Sequence, residues 1–191
     1  MNNITRIRNA GLVCIIAALV WIVAISIEYP FNLQPPGNGA LYFLDQFLFL
    51  IAIAGYVATI GTLIQMRVAG DGWFGRIALG LFGLGWSLLL LGQILDLIMN
   101  NHDLFLFPLG GVMASLGSLL SGIAIVTAKR WQGWQRWSVM IYAVYYWAAL
   151  FLPLVFGQEP NQITETFWGL AWMVIGYALF TATSKSEPVT E

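Results

Sequence analysis

The chain has 191 residues, of which 59% are hydrophobic and only 9% are charged, whereas soluble domains carry about 25% charged residues. A soluble fold of this size cannot hide so many apolar side chains from water, so the composition excludes a soluble domain and indicates an integral membrane protein. The net charge of −1 argues against nucleic acid as a partner, and one cysteine and one histidine exclude an internal disulfide and a bis-histidine haem.

Six apolar segments, separated by polar links, predict an all-α fold, a polytopic six-helix transmembrane bundle. Each segment has the length of about 20 residues that a helix needs to cross a bilayer core of about 30 Å. The segments are continuously apolar, whereas the strands of a β-barrel would alternate over about 10 residues. We predict a single integral membrane domain, 1–191, with helices at about 9–27, 46–66, 77–95, 104–128, 137–158 and 166–184.

Proline and glycine predict where these helices stop or bend. Residues 29–44 form the only long link, and its prolines and glycines predict a loop without regular structure. Pro153 predicts a kink in the fifth helix, because it removes one backbone hydrogen bond and frees a carbonyl group near Ala149. The first apolar segment has no small-x-small cleavage site, so we expect a retained helix rather than a signal peptide.

The charged residues divide between the two sides of the predicted bundle. An alternating path through the membrane puts all eight bases on one side: Arg6, Arg8, Arg67, Arg76, Lys129, Arg130, Arg136 and Lys185. The links on the other side hold no base, and they hold six of the nine acids: Glu28, Asp45, Asp96, Asp103, Glu159 and Glu165. The positive-inside rule therefore predicts a multi-pass protein of the cell membrane with both termini in the cytoplasm.

Two of these acids define the candidate binding site. Gln46 adjoins Asp45 on the second helix, and Gln93 lies one turn inside Asp96 on the third. Acids at a membrane border commonly end a helix and face water, but on neighbouring helices these four side chains would converge near the outer mouth. Such a group can hold a cation, share a proton or bind a basic ligand. The predicted ligand-binding residues are Asp45, Asp96, Gln93, Gln46, Glu28 and Trp86.

Other features have both a packing interpretation and a functional one. Trp21, Trp86 and Trp147 lie far from either border, where tryptophan fills space between helices or walls a cavity for a hydrophobic or cationic ligand. The fourth helix carries a stripe of small residues that predicts close helix packing, either inside the chain or in a dimer. The stripe consists of Gly110, Ala114, Ser118 and Gly122.

The sequence carries no P-loop, dinucleotide fingerprint, metalloprotease motif or nucleophile elbow, so we predict no catalytic residues, no cofactor and no metal. The favoured function is a small, non-enzymatic membrane protein that binds a lipophilic or cationic ligand between helices near the outer leaflet. The alternatives are an accessory or scaffold subunit, which needs a protein partner or a second copy, and an enzyme acting on lipid headgroups. Membrane lipids are expected partners in every case.

Overall fold

The computed structural model describes residues 3–33, 37–99, 105–158 and 160–182. This part of the chain is all helical, and six helices are long and apolar enough to cross a membrane. These spans are Ile4–Phe31, Ala40–Gln65, Trp73–Met99, Leu106–Ala128, Gln135–Val155 and Gln162–Thr181. The all-α class and the number of spans predicted from the sequence are therefore confirmed.

The helices, in chain order, are α1 (Asn3–Phe31), α2 (Ala40–Gln65), α3 (Trp73–Met99), α4 (Leu106–Ala128), α5 (Ser138–Tyr145), α6 (Leu152–Val155) and α7 (Gln162–Thr181). A 3₁₀ turn, Gly133–Trp137, precedes α5, and a π-helical segment, Tyr146–Phe151, joins α5 to α6. The fifth span is thus assembled from several short pieces, while each of the others is a single helix.

Most helices extend beyond the apolar segments that predict them. Helix α1 continues past Glu28 to Phe31 and includes Pro30, and α2 begins at Ala40, so both helices extend into the predicted loop 29–44. Helix α2 begins directly after Gly39, whose φ of 92° ends the link. The apolar segment marks the part of a helix that lipid can cover, whereas the backbone hydrogen bonds continue into the polar flanks.

Pro153 changes the fifth span in a different way from a simple kink. The backbone widens into the π-helical segment before the proline, and the helix ends soon after it at Val155, followed by a turn in which Gly157 has a φ of +74°. The amide groups of Phe156 and Gln158 both donate to the Pro153 carbonyl oxygen, at 3.0 and 2.9 Å. The predicted helix 137–158 is therefore interrupted by π-helix and closes earlier than the sequence indicates.

The small-residue stripe of α4 is buried inside the bundle along its whole length. A methyl group at Gly110 would lie 3.0 Å from the carbonyl oxygen of Gly85 on α3, and one at Gly122 would lie 3.0 Å from the Cα atom of Met140 on α5. Small residues allow the helix backbones this close approach. Within this chain the stripe is used for internal packing.

Contacts between links define one end of the bundle as the basic end. Asp71, in the link between α2 and α3, bonds to Arg67 and to Arg130 from the link that follows α4. The guanidinium group of Arg8 lies 4.9 Å from the ring centre of Phe180, so α1 begins where α7 ends. The described bases therefore share one end of the molecule. Lys185 lies outside the described residues.

The opposite end gathers acids, and we call it the acidic end. Its elements meet where the hydroxyl group of Tyr29 donates to the Pro160 carbonyl oxygen at 2.9 Å, joining the end of α1 to the link before α7. Glu28, Asp45 and Asp96 belong to the same end, on α1, α2 and α3. Asp103 and Glu159 fall outside the described residues.

Candidate functional site

A cavity of about 380 Å³, here called the polar cavity, opens at the acidic end between α1, α2, α3, α4 and α7. Its polar lining consists of two carboxylic acids, two carboxamides and a phenol: Glu28, Glu165, Gln46, Gln93 and Tyr29. Aromatic side chains form much of the remaining wall. The size lies within the range of small-molecule sites, about 300–1,000 Å³.

Four of the six residues predicted to bind a ligand line this cavity: Glu28, Gln46, Gln93 and Trp86. Asp45 and Asp96 do not line it, and they do not face water either, since both side chains are fully buried. Helix α2 begins at Ala40, so Asp45 lies in its second turn, whereas Asp96 lies in the last turn of α3, which ends at Met99.

The two carboxamides connect α2 to α3 by a direct hydrogen bond. The Gln93 side-chain amide donates to Gln46 Oε1 at 2.7 Å, and the Gln46 amide donates to Asp45 Oδ2 at 3.3 Å. Tyr42 lies within electrostatic range of both Asp45 and Asp96. These hydrogen bonds bring Asp45, Gln46 and Gln93 together, with both carboxamides in the cavity lining and both aspartates outside it.

Glu165 lines the cavity but is absent from the predicted site. The Asn161 side chain accepts from the backbone amide of Thr164, and the Thr164 hydroxyl accepts from the amide of Asn161, so α7 begins at Gln162. The helix thereby places Glu165 in its first turn, where Tyr29 Oη approaches Glu165 Oε1 at 3.4 Å. The capping residues Asn161 and Thr164 are the sequence signal that could have located this helix start.

The carboxylic acids act on one another electrostatically. Glu28 is close enough to both Asp45 and Glu165 for its negative charge to act on each of them. Of the described residues that line the cavity, none is Lys, Arg or His. Two carboxyl groups in one cavity repel each other when both are ionised, and a bound cation removes that repulsion. The arrangement therefore favours a positively charged guest.

The walls of the polar cavity are aromatic and in mutual contact. The ring centres of Trp21 and Trp168 are 4.7 Å apart, and those of Trp86 and Trp168 are 5.6 Å apart. The Trp21 indole nitrogen donates to the Glu165 carbonyl oxygen at 3.2 Å, which fixes one ring beside the acid. Such faces attract cations and also pack against apolar groups.

The structure separates the three tryptophans that the sequence singles out. Trp21 and Trp86 are buried in the aromatic core and also wall the cavity, so both the packing and the functional interpretation apply to them. Trp147 belongs to the π-helical segment, and its indole nitrogen donates to the Ser115 carbonyl oxygen at 3.0 Å. The packing interpretation therefore applies to Trp147, which joins the fifth span to α4.

A second cavity of about 570 Å³, the apolar cavity, adjoins the first. It lies between α4 and the part of the fifth span near the acidic end, and most of its lining is aliphatic or aromatic. The two cavities share six lining residues: Trp21, Leu89, Phe107, Pro160, Glu165 and Trp168. The sequence gives no direct signal for this cavity, because its walls come from segments distant in the chain.

No group of three His, Cys, Asp or Glu side chains suited to a metal ion occurs among the residues that the structure describes. The single cysteine, Cys14, is buried between helices, and its thiol donates to the Trp172 carbonyl oxygen. The chemistry offered by the site is therefore that of carboxyl, carboxamide and aromatic groups. Comparison with protein-family models, with curated proteins and with solved structures finds no match to this chain.

Proposed function

We propose that this protein is a non-enzymatic, multi-pass protein of the cell membrane that binds a small lipophilic cation in the polar cavity, near the outer leaflet. The observation that carries this proposal is the pairing of Glu28 with Glu165 in a cavity walled by tryptophan. A cation between two carboxylates gains charge-assisted hydrogen bonding or direct attraction, and the rings add cation–π attraction.

The orientation is part of the same proposal. The described bases share the end that holds the start of α1 and the end of α7, and the cavity opens at the other end. The positive-inside rule puts the basic end in the cytoplasm. A ligand would then reach the cavity from outside the cell or from the outer leaflet.

Neutralising one cavity acid at a time tests the proposal. The purified protein in dodecyl maltoside is titrated with radiolabelled dodecyltrimethylammonium, and Glu165→Gln and Glu28→Gln are compared with the unchanged protein. Each variant keeps the side-chain size and removes the direct attraction between one carboxylate and the quaternary ammonium head, which has no N–H to donate; such an attraction is worth about 1–4 kcal/mol near a protein surface. We expect the dissociation constant to rise about 10-fold to 100-fold.

Asp71→Asn is the matched control, because it removes the same charge at the basic end, far from the cavity. It should bind the probe as tightly as the unchanged protein does, because the cavity is not altered. Partition of the probe into micelles is the same for every protein in the comparison and therefore cancels. Equal affinities in all four proteins would overturn the proposal. The scaffold-subunit and lipid-headgroup-enzyme alternatives stay predictions from the sequence.

A further inference from the structure

We propose that one ligand occupies both cavities: a single-chain aliphatic amine or quaternary ammonium, with its head in the polar cavity and its chain in the apolar cavity, reached from the lipid between α4 and the fifth span. This inference rests on the proposed function and adds the class of ligand and its route of access. Three features support it: the two cavities are joined, the apolar cavity is exposed to lipid, and the polar cavity is lined by acids.

The two cavities meet at residues that belong to both. Glu165 and Trp168, one turn apart on α7, line the polar cavity and the apolar cavity alike. Phe107, at the start of α4, lines both from the opposite side. A ligand whose charged group lies beside Glu165 therefore has continuous space for an attached chain.

The apolar cavity faces the surface that lipid would cover. Val112 on α4 lines it and is 43% exposed, and Leu154 and Val155 on α6 line it with 57% and 63% exposure. The π-helical segment supplies the inner wall through Tyr146 and Leu150, which are buried. A hydrocarbon chain could therefore enter sideways from the bilayer without crossing the polar mouth.

The chemical character of the lining residues limits which molecules can fill the two cavities. An apolar cavity of this kind excludes ordered water, which needs two to four polar partners. A phospholipid would bring its phosphate towards Glu28 and Glu165, and like charges in one site repel. A single hydrocarbon chain ending in a cation matches the apolar wall and the acidic end together.

Gly111 offers a position at which the apolar cavity can be filled without touching the acids. It lines that cavity, and the nearest atom to a methyl group placed there is Tyr146 Oη, at 3.7 Å. A side chain added at Gly111 therefore starts without a steric clash, and in Gly111→Leu it would extend into the space proposed for the hydrocarbon chain. Gly80→Leu is the matched control, since Gly80 is exposed on α3 and nothing lies within 4 Å of a methyl group there.

The experiment compares two probes with the same head, dodecyltrimethylammonium and butyltrimethylammonium, in equilibrium binding to the protein in dodecyl maltoside. We expect Gly111→Leu to weaken the dodecyl probe at least 10-fold and to leave the butyl probe within 2-fold of the unchanged protein, since each methylene no longer buried lowers the affinity about 4-fold. Gly80→Leu should change neither affinity. Gly111→Ala should give a smaller loss in the same direction.

The outcomes separate this inference from the proposed function. If Gly111→Leu leaves both probes unchanged while Glu165→Gln weakens both, the chain does not occupy the apolar cavity and the binding of cations still stands. If dodecanol binds as tightly as the dodecyl ammonium probe, the cationic head is wrong. If the unchanged protein binds neither ammonium probe, the proposed function fails and this inference fails with it.

Discussion

The two ends of the bundle handle charge in opposite ways. At the basic end, Asp71 lies between Arg67 and Arg130, and these side chains are 44–62% exposed. At the acidic end, the carboxyl groups of Glu28 and Glu165 share a cavity in which no described lining residue is basic. Exposed charges that pair with one another hold the links of the basic end together, whereas two ionised acids in one cavity repel each other, and a cation bound between them would remove that repulsion.

The electrostatics of Asp71 follow directly from its partners. Hydrogen bonds from Arg130 and Arg67 lower the pKa of the Asp71 carboxyl below its ordinary value of 3.8. This carboxylate is therefore already neutralised by the protein itself. The comparison predicts that changes at the acidic end alter ligand binding, while changes at the basic end alter only how the links are held.

The largest expected effect concerns which end faces the outside of the cell. Asn38 and Gly72 are exposed residues in the links at the acidic and the basic end, respectively. In intact cells, a membrane-impermeant maleimide should label Asn38→Cys and leave Gly72→Cys unlabelled, because the positive-inside rule puts the basic end in the cytoplasm. The native Cys14 is fully buried and gives little background.

Permeabilised cells provide the control, since both variants should then react. Labelling of Gly72→Cys alone in intact cells would invert the orientation and put the polar cavity on the cytoplasmic side. Labelling of both would show that the two links do not lie on opposite sides of one membrane.

A moderate effect is expected where the acidic end is held together. Gln93→Leu leaves the Gln46 carboxamide oxygen buried without its partner, which costs about 1–2 kcal/mol of unfolding free energy. In a double-mutant cycle with Gln46→Leu, the pair should show a coupling of about 0.6–1.7 kcal/mol, the range measured for hydrogen bonds between membrane helices. Reversible unfolding in sodium dodecyl sulfate measures all four proteins. Additive losses would mean that the 2.7 Å bond contributes nothing to stability.

The smallest effect is expected at the basic end. Asp71→Asn should lower the melting temperature by about 1–2 °C at pH 7, because exposed ion pairs contribute little. Since the folded-state pKa of Asp71 is lowered, its stabilisation is fully present above 3.8 and is lost as the pH falls through the lower folded value. Melting curves should therefore show a constant difference between the two proteins from pH 7 to about 5, and a difference that shrinks as the pH falls below 3.8. A difference that grows on acidification would contradict this assignment.

The sequence predicts the number of spans well because lipid imposes a minimum length on apolar helices. It predicts helix ends poorly, because a helix keeps its backbone bonds beyond the lipid. Arg6 and Arg8 mark the predicted border of the first span, yet both lie inside α1. The border of the apolar segment and the border of the helix are two different physical boundaries.

The candidate site is predictable in part for a similar reason. Gln46 and Gln93 each lie near an acid on neighbouring helices, so their convergence follows from a hairpin of α2 and α3. Glu165 is missing from the predicted site because the predicted last helix starts at residue 166, one residue after it, whereas α7 starts at Gln162. The apolar cavity depends on the π-helical segment, and a hydrophobic pattern does not distinguish π-helix from α-helix.

The π-helical segment also determines which face of the fifth span the residues after it occupy. A π-bulge accommodates one residue more than an α-helix of the same rise, and one residue corresponds to about 100° around the helix axis. A chain one residue shorter between Tyr146 and Phe151 would continue as ordinary α-helix and turn Leu154 and Val155 to another face. The membrane-facing gap beside α4 thus depends on a single surplus residue in the backbone of its neighbour.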